Sequence, residues 1–372
     1  MNFTFMKDDL LPIIEKLITV IPVAVPRDVL KCFKLELSDN ELTITATDMT
    51  VTLVLKANVQ SNDKDLVVID ARKFYSIVKH LNTKNVIKVS DNGKELEIQQ
   101  GRFKIDIVKY YEPYDFPKNP DKLTDGTVLD ITGKLLTKYI QKTLFAVSSD
   151  ELRAVLTGVL FSFGDEFRMV ATDSVILVGL KDSNIKVEKA GDYIVPQKTL
   201  KLLQNILNKE LCKITFAENY CVIELSDGSV LYSRLVNGKY PAYQAIIPVN
   251  NDRVVQFKKS ELIDSFSKVA LSCNPLTRLI KVDIGIHEAL LSAEDSTTSS
   301  RSEDICSVTT ENIDNILIGF NQPKIVALLN NIKNEEIKAK ISEPTRPVIF
   351  EPVKELPYKL ISLIMPVKVV KS

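Results

Sequence analysis

The 372-residue chain repeats itself at about a third of its length, and no other feature restricts its fold as strongly. Three segments carry the first sign: Leu42-Thr43-Ile44-Thr45-Ala46-Thr47-Asp48, Phe167-Arg168-Met169-Val170-Ala171-Thr172-Asp173 and Ala289-Leu290-Leu291-Ser292-Ala293-Glu294-Asp295. Each alternates toward one apolar face and sets an Ala two residues before an Asp, the pattern of a half-buried strand that ends in a turn. The aspartates lie 125 and 122 residues apart, against 124 for one third of the chain.

Helical periodicity supplies two further markers. Phe74, Ile77, Val78 and Leu81 fall on one helix face. Thr199, Leu202, Leu203 and Ile206 repeat the spacing 125 residues on, with Thr199 the polar exception, and Ile325, Leu328, Leu329 and Ile332 repeat it 126 further. Each unit also opens on a helix: Leu10, Leu11, Ile14, Leu17 and Ile18 in the first, Leu135, Leu136, Tyr139 and Ile140 in the second, and Leu262, Ile263, Phe266, Val269 and Ala270 in the third. Pro12 is expected in the first turn of its helix, where a missing N–H is tolerated. Runs such as Val86-Ile87-Lys88-Val89, Lys213-Ile214-Thr215-Phe216 and Cys221-Val222-Ile223-Glu224-Leu225 read as strands, with turns at Asp91-Asn92-Gly93-Lys94 and Asp227-Gly228-Ser229. Proline-rich, aromatic stretches at 110–120 and 239–248 separate the copies and read as linkers packed on the surface. The expected architecture is α+β: three tandem domains, residues 1–122, 123–250 and 251–372, each with two helices packed on antiparallel sheet.

Composition narrows the function. At 45% hydrophobic and 26% charged the chain can build large cores and is not a disordered protein. No apolar run approaches the roughly 20 residues of a membrane helix. Asp8 and Asp9 fall where a signal peptide would stay apolar, so a soluble, cytoplasmic protein is expected. Five cysteines with no Cys-x-x-Cys pair argue against disulfides or structural zinc. Two histidines, His80 and His287, give little material for a catalytic triad or a metal site. Twelve glycines form no phosphate-binding loop. No cofactor, metal or catalytic residue is expected.

The charge balances at 48 basic against 48 acidic residues, but it is unevenly spread. Six helix windows (6–18, 71–81, 133–145, 197–209, 258–270 and 322–333) total +11 over 75 residues, which leaves −11 on the other 297. One reading is a basic helical layer that attracts phosphates by counterion release, without base reading. The other is that solvated helix faces simply favour Lys. Scattered lysines without exposed helix aromatics favour duplex backbone over single strands.

These features together resemble the bacterial sliding clamp family, the β subunits of replicative DNA polymerases. The motifs that carry the resemblance are Val170-Ala171-Thr172-Asp173, Ile194-Val195-Pro196-Gln197-Lys198, Leu235-Val236-Asn237-Gly238-Lys239-Tyr240-Pro241-Ala242-Tyr243 and Leu363-Ile364-Met365-Pro366-Val367-Lys368, with Ile69-Asp70-Ala71-Arg72-Lys73-Phe74 and Ile318-Gly319-Phe320-Asn321. The resemblance implies three clamp domains per chain and a head-to-tail homodimer that closes a six-domain ring, helices inward, around duplex DNA. Such a ring holds the replicative polymerase to its template by topology. It depends on an ATP-driven clamp loader and serves other clamp-motif proteins. By similarity, Arg72, Lys73, Arg153 and Lys198 face DNA. Leu156, Thr172, Val175, Ile176, Leu177, Pro241, Ile246, Pro347, Met365 and Pro366 form an apolar slot for partner peptides, and Phe103 and Ile105 meet Ala270 and Leu271 of a second copy. The sequence departs from the family at Ala24, where many members have arginine, at the neutral Gln197, and at Val175 and Ile176, where members usually show a polar residue and an arginine.

Two other functions fit parts of the pattern. The aspartates 48, 173 and 295 invite a metal-dependent hydrolase, although their places after strands suit turn capping better. The departures at Ala24, Val175, Ile176 and Gln197 fit a clamp-fold peptide-binding adaptor without DNA retention.

Overall fold

The structure, a computed structural model, describes residues 1–24, 27–120, 123, 125–313, 315–354 and 356–369, apart from the side chains of residues 110 and 111. The expected domain ends at 122 and 372 therefore lie outside the described residues.

One order of elements occurs three times. The first copy is β1 (Phe3–Phe5), α1 (Lys7–Leu17), β2 (Cys32–Ser38), β3 (Glu41–Thr47), β4 (Val51–Asn58), β5 (Lys64–Asp70), α2 (Ala71–His80), β6 (Ile87–Asp91), β7 (Glu95–Gln100) and β8 (Phe103–Tyr111). The second is β9 (Thr127–Thr132), α3 (Gly133–Thr143), β10 (Gly158–Phe163), β11 (Phe167–Thr172), β12 (Ile176–Asp182), β13 (Gly191–Pro196), α4 (Gln197–Ile206), β14 (Leu211–Phe216), β15 (Tyr220–Leu225) and β16 (Val230–Arg234). The third is β17 (Arg253–Lys258), α5 (Lys259–Val269), β18 (Leu279–Ile284), β19 (Glu288–Asp295), β20 (Ser300–Glu311), β21 (Ile316–Asn321), α6 (Gln322–Asn331), β22 (Glu336–Ile341), β23 (Val348–Pro352) and β24 (Lys359–Ile364).

Packing groups the chain into two compact units: Met1–Thr137 with Lys198–Leu235, and Lys138–Gln197 with Val236–Ser372. The first unit holds a twelve-stranded antiparallel sheet in the order β1-β6-β7-β8-β5-β2-β3-β4-β16-β15-β14-β9. The alternation read from the sequence explains its faces: in β7, Leu96 and Ile98 are buried while Glu95, Glu97 and Gln99 are half-exposed. Helix α1 buries Leu10, Ile14 and Leu17, and α2 buries Ala71, Phe74, Ile77 and Val78, so the two stripes pack together as their spacing requires. Asp70 caps α2 by accepting the Lys73 N–H at 2.6 Å. Thr199, polar within an apolar stripe, is buried because its hydroxyl meets the Ser233 hydroxyl at 2.5 Å.

Pro12 departs from expectation. Helix α1 begins at Lys7, so Pro12 lies inside the helix rather than in its first turn. Both Pro12 and Asp8, whose carbonyl loses its helical donor, are exposed, and water can serve the freed carbonyl.

The second unit holds the other twelve-stranded sheet, β13-β10-β11-β12-β24-β23-β22-β17-β20-β19-β18-β21. Its main core joins Phe257, Leu262, Phe266, Val282, Ile284, Phe320 and Phe350. Phe320 sits edge-on to both Phe266 and Phe350, at 6.5 and 6.3 Å between ring centres. Helices α5 and α6 pack on each other here as α1 and α2 do in the first unit.

The two sheets contain the same joint. In the first, β4 pairs with β16, Leu53 opposite Leu231 and Thr52 opposite Tyr232. In the second, β12 pairs with β24, Leu177 opposite Leu363 and Ile176 opposite Ile364. Each joint sews a strand of one copy to the last strand of the next copy through main-chain hydrogen bonds.

Lys142, on α3, is only 5% exposed; its ammonium donates to the Asn331 carbonyl. Asn331 answers by donating its side-chain amide to the Gln141 and Lys142 carbonyls, both at 3.2 Å. Burial, then the charges of Lys333, Lys138 and Lys259, push the Lys142 ammonium down to about 8. The unfolded chain holds this proton up to about 10.4, so the folded form binds it more weakly and the contribution of Lys142 to stability rises with pH between those values. Urea unfolding at pH 7.5 and 9.5 tests this. Relative to Lys142→Met, the wild type gains on the order of 1–3 kcal/mol over that interval; the comparison cancels the buried cysteines, whose raised thiols act in the opposite direction in both chains.

Candidate functional site

The first two of the repeated aspartates build the same turn, and the third builds a related one. In the first copy Asp48 Oδ1 accepts the Thr50 and Val51 N–H groups, at 2.8 and 2.7 Å, and the Thr47 hydroxyl donates to the Val51 carbonyl at 3.1 Å. In the second, Asp173 Oδ1 accepts the Val175 and Ile176 N–H groups, at 2.9 and 2.8 Å, and the Thr172 hydroxyl donates to the Ile176 carbonyl at 2.6 Å. The residue after each Asp, Met49 or Ser174, takes the left-handed conformation, with φ of 74° and 79°. In the third, Asp295 Oδ1 accepts from the Thr297 N–H and hydroxyl, at 3.1 and 2.8 Å. The aspartates cap turns, and no group of three or more His, Cys, Asp or Glu side chains suited to a metal occurs among the described residues.

The second carboxylate oxygen has a different use. Asp48 Oδ2 is paired with Lys198 and Asp173 Oδ2 with Lys324, both lysines lying in the first turn of their helices. Burial alone would raise the Asp48 carboxyl. Hydrogen bonds from Lys198, Val51 and Thr50, with the charge of Lys198, outweigh it and hold the group below the usual carboxylate range.

The four residues expected to face DNA therefore differ in how free they are. Lys198 is engaged with Asp48. Arg153 is held by Asp150, Nε to Oδ2 at 2.8 Å, and donates to the Ser174 hydroxyl at 2.6 Å. Arg72 is exposed and donates to the Ile21 carbonyl at 3.3 Å. Lys73 is exposed, and its ammonium makes no hydrogen bond or ion pair among the described residues. Lys134, Lys201 and Lys209, on or just beyond α3 and α4, are also exposed and free of ion pairs among the described residues. Their signal was present in the sequence as basic positions opposite the apolar stripes.

The residues expected to form the peptide slot fall into two groups. Leu156 and Leu177 are buried in one cluster with Val170, Tyr240, Tyr243 and Leu363. Ile176, 1% exposed, and its neighbour Val175 belong instead to the main core of the second unit. Strand alternation separates Ile176 from Leu177, because successive residues of β12 point to opposite faces, while Val175 lies in the turn before the strand. Thr172 and Pro347 are buried, Pro241 and Ile246 are exposed, and Met365 and Pro366 are half-buried. The Met365 N–H donates to the Val175 carbonyl at 2.8 Å, which places the chain after β24 beside the β11–β12 turn. Gly238, at φ 125°, lets the preceding loop pass Val155: an added Cβ would come 2.8 Å from its Cγ1.

A groove of about 740 Å³ opens over the same strands, lined by Arg168, Val170, Lys181, Tyr243, Ile247 and Ile361 among others. Val170 and Tyr243 belong to the Leu156–Leu177 cluster, and Ile247 and Ile361 pack against it. None of the ten expected slot residues lines this groove. It was illegible in the sequence because its walls come from strands joined only by the β12–β24 pairing.

The four residues expected at a dimer contact lie on or beside two sheet edges. Phe103, 49% exposed, and the half-buried Ile105 are on β8. Leu271, 89% exposed, and the half-buried Ala270 follow α5 beside β20, whose Ile305 is also exposed. Main-chain pairing covers only part of each edge. On one side β8 pairs with β5 at Lys109 and Tyr111, and β20 with β17 at 308–311. Residues 103–108 and 300–307 have no strand partner on that side among the described residues.

Three consecutive α+β modules, sewn together by their sheet edges and without a catalytic constellation among the described residues, define a clamp-fold protein. The comparisons agree. Models of the DNA polymerase III beta subunit match residues 1–118 (N-terminal domain), 130–242 (central domain) and 244–368 (C-terminal domain). The chain is 26% identical to the beta sliding clamp of Chlamydia muridarum, over 94% of this chain and 95% of that one. It is 24% identical to that of Escherichia coli K12, over 94% and 96%. Among solved structures, a sliding clamp from Pseudomonas aeruginosa bound to griselimycin superposes with a TM-score of 0.93 at 23% identity, covering 99% of this chain and all of the other. The chain belongs to the DNA polymerase III beta subunit family and is a non-catalytic sliding clamp subunit.

The ion pairs separate structural from free lysines. Lys198→Met leaves the Asp48 carboxylate short of a cation and lowers the unfolding free energy by about 1 kcal/mol, a figure already reduced for solvent screening. Lys201→Met, at a free lysine of the same helix, changes it by less than about 0.5 kcal/mol. Urea denaturation of the two variants checks the contrast.

Proposed function

We propose that two copies of this chain close head to tail into a six-domain ring that encircles duplex DNA and tethers the replicative polymerase to it. The observation that carries the reading is the repeated joint. The β4–β16 and β12–β24 pairings leave one strand of each kind partly open, β20 and β8. A head-to-tail dimer would make a third joint of the same kind, because it brings the third domain of one chain to the first domain of the other. Phe103 and Ile105 on one edge and Ala270, Leu271 and Ile305 by the other supply apolar surface for that contact.

In this reading the three domains end near 122, 250 and 372, and their helices turn toward the DNA. Arg72, Arg153 and the free lysines Lys134, Lys201 and Lys209 supply phosphate contacts. Lys73 and Lys198 lie on the same helices and add to the positive field. Such contacts are weak and carry no sequence information, so the ring slides while closure prevents escape. Partner peptides bind at the Leu156–Leu177 cluster, reached through Pro241, Ile246, Met365 and Pro366, with Thr172 and Pro347 in its walls and Val175 and Ile176 bracing it from behind. A closed ring needs an ATP-driven clamp loader, which would be one such partner, as would other clamp-motif proteins. The setting is the bacterial cytoplasm, and no described helix is long and apolar enough to cross a membrane.

Topological retention has a direct test. Loaded clamps stay on nicked circular DNA and are lost within the assay once a restriction enzyme linearises it; equal loss from both forms contradicts encirclement. Met365→Asp places a charge against the peptide slot. It is expected to weaken binding of a polymerase-tail peptide at least tenfold by fluorescence anisotropy, while light scattering still reports a dimer.

A further inference from the structure

The joint contains more than strand pairing, and its third instance can be worked out from the first two. Lys198 and Lys324 occupy the same place in their copies, each immediately before the first residue of the repeated helix stripe, 126 residues apart. Lys73, 125 residues before Lys198, is the corresponding residue of the first copy. Asp48, Asp173 and Asp295 are likewise one position repeated. The pairs formed within the chain always join the Asp of one copy to the Lys of the next: Asp48 of the first to Lys198 of the second, and Asp173 of the second to Lys324 of the third. Asp295 of the third copy and Lys73 of the first remain, and Lys73 makes no ion pair among the described residues.

The carboxylates are prepared in the same way. In each, Oδ1 is taken by its own turn and Oδ2 is left for a cation. Asp295 Oδ1 accepts from the Thr297 N–H, the Thr297 hydroxyl and the Asn274 side-chain amide, the last at 2.9 Å. Among the described residues its Oδ2 has one hydrogen-bond partner, the hydroxyl of the exposed Thr298 at 3.2 Å, the longest of the four. The third hairpin also runs one pair further before it turns: Asp295 itself pairs with Ser300, whereas Thr47 and Thr172, one residue before their aspartates, pair with Thr52 and Leu177. Thr298 lies within the displaced turn, and its hydroxyl touches the same carboxylate oxygen that Lys198 and Lys324 engage in the other two joints.

We infer that Lys73 of a second copy displaces the Thr298 hydroxyl and pairs with Asp295 Oδ2, so that one Asp–Lys contact secures every joint of the ring. The inference rests on the ring reading and deepens it. It assigns Lys73 to closure between copies rather than to DNA, and it makes the 295–300 turn a place where ring opening can be controlled. Closure would be sensitive to salt through this contact, because the two copies can dissociate while the pairs within a chain are tethered.

Sedimentation of the full-length protein across a dilution series tests it. Asp295→Asn keeps an oxygen for the Thr297 contacts but removes the charge, and Lys73→Met removes the ammonium; circular dichroism melting verifies that each chain stays folded. Each variant should weaken the dimer about tenfold per joint, about a hundredfold for a ring with two such joints. The double variant should be no weaker than either single one, because the two residues act as a pair. Lys73→Arg should retain the dimer, and Lys201→Met should leave it unchanged. A dimeric wild type whose Asp295→Asn and Lys73→Met forms dissociate as it does, or whose double variant adds the two losses, overturns the pair alone. A wild-type chain that stays monomeric at tens of micromolar overturns the ring reading and the pair with it.

Discussion

The architecture depends on the hydrogen-bonding capacity of a strand edge. An unpaired edge exposes a row of main-chain donors and acceptors, and a chain that leaves such edges open invites association with whatever strand arrives. Here the edges of β4 and β12 are covered by the last strands of the succeeding copies, and each covering extends one sheet across a domain boundary. Main-chain pairing fixes the register of a joint but says little about which strand should occupy it. Discrimination falls to side chains at the rim, and an ion pair that must be in register with the strands is well suited to it.

That division of labour explains why the aspartate turn recurs. A carboxylate with one oxygen bound by two or three turn donors is held rigidly, so its other oxygen is a fixed acceptor and pays little entropy to meet a lysine. The lysine is equally well placed, since the first turn of a helix standing on the sheet sets its Cα. Exposure of the lysines at 44% and 42% keeps each pair modest in energy, which suits a contact whose task is register more than stability. The same caution applies to the cysteines. All five are free, four are buried, and burial pushes Cys32, Cys221 and Cys306 up to about 12, so none of these three supplies a reactive thiol.

What could be read from the sequence follows the range of the interactions. Helix stripes and strand alternation are local patterns of burial, and all three opening helices, their later partners and the Asp-terminated strands stand where their periodicity places them. The turn-capping role of Asp48, Asp173 and Asp295 was legible for the same reason. The helix start at Lys7 was not, since Met6 makes no side-chain cap that would announce it, and Pro12 consequently reads one turn too early. Nor was the partner of Lys198, because Asp48 is 150 residues away and reaches it only through the β4–β16 joint. For the peptide slot, the resemblance named neighbours in sequence, and alternation then separated them: Leu177 faces the cluster while Ile176 faces the core behind it.

The departures from the family pattern take on a physical meaning in that light. An arginine at 176 would have to be accommodated at a position that is 1% exposed and packed among Ile284, Ile364 and their neighbours, where an unpaired charge is costly. Isoleucine there joins the core behind Leu177 and brings no cation to the Leu156–Leu177 cluster. Positive charge close by is instead found in the adjoining groove, at Arg168, Lys181, Lys338, Lys354 and Lys359. Part of it is already balanced, since Glu166 pairs with both Arg168 and Lys181. A partner segment that places an apolar anchor on the Leu156–Leu177 cluster and runs an acidic flank toward Lys338, Lys354 and Lys359 would use both features. The selectivity of this clamp would then lie outside the slot itself, in the charge of the residues beside the anchor.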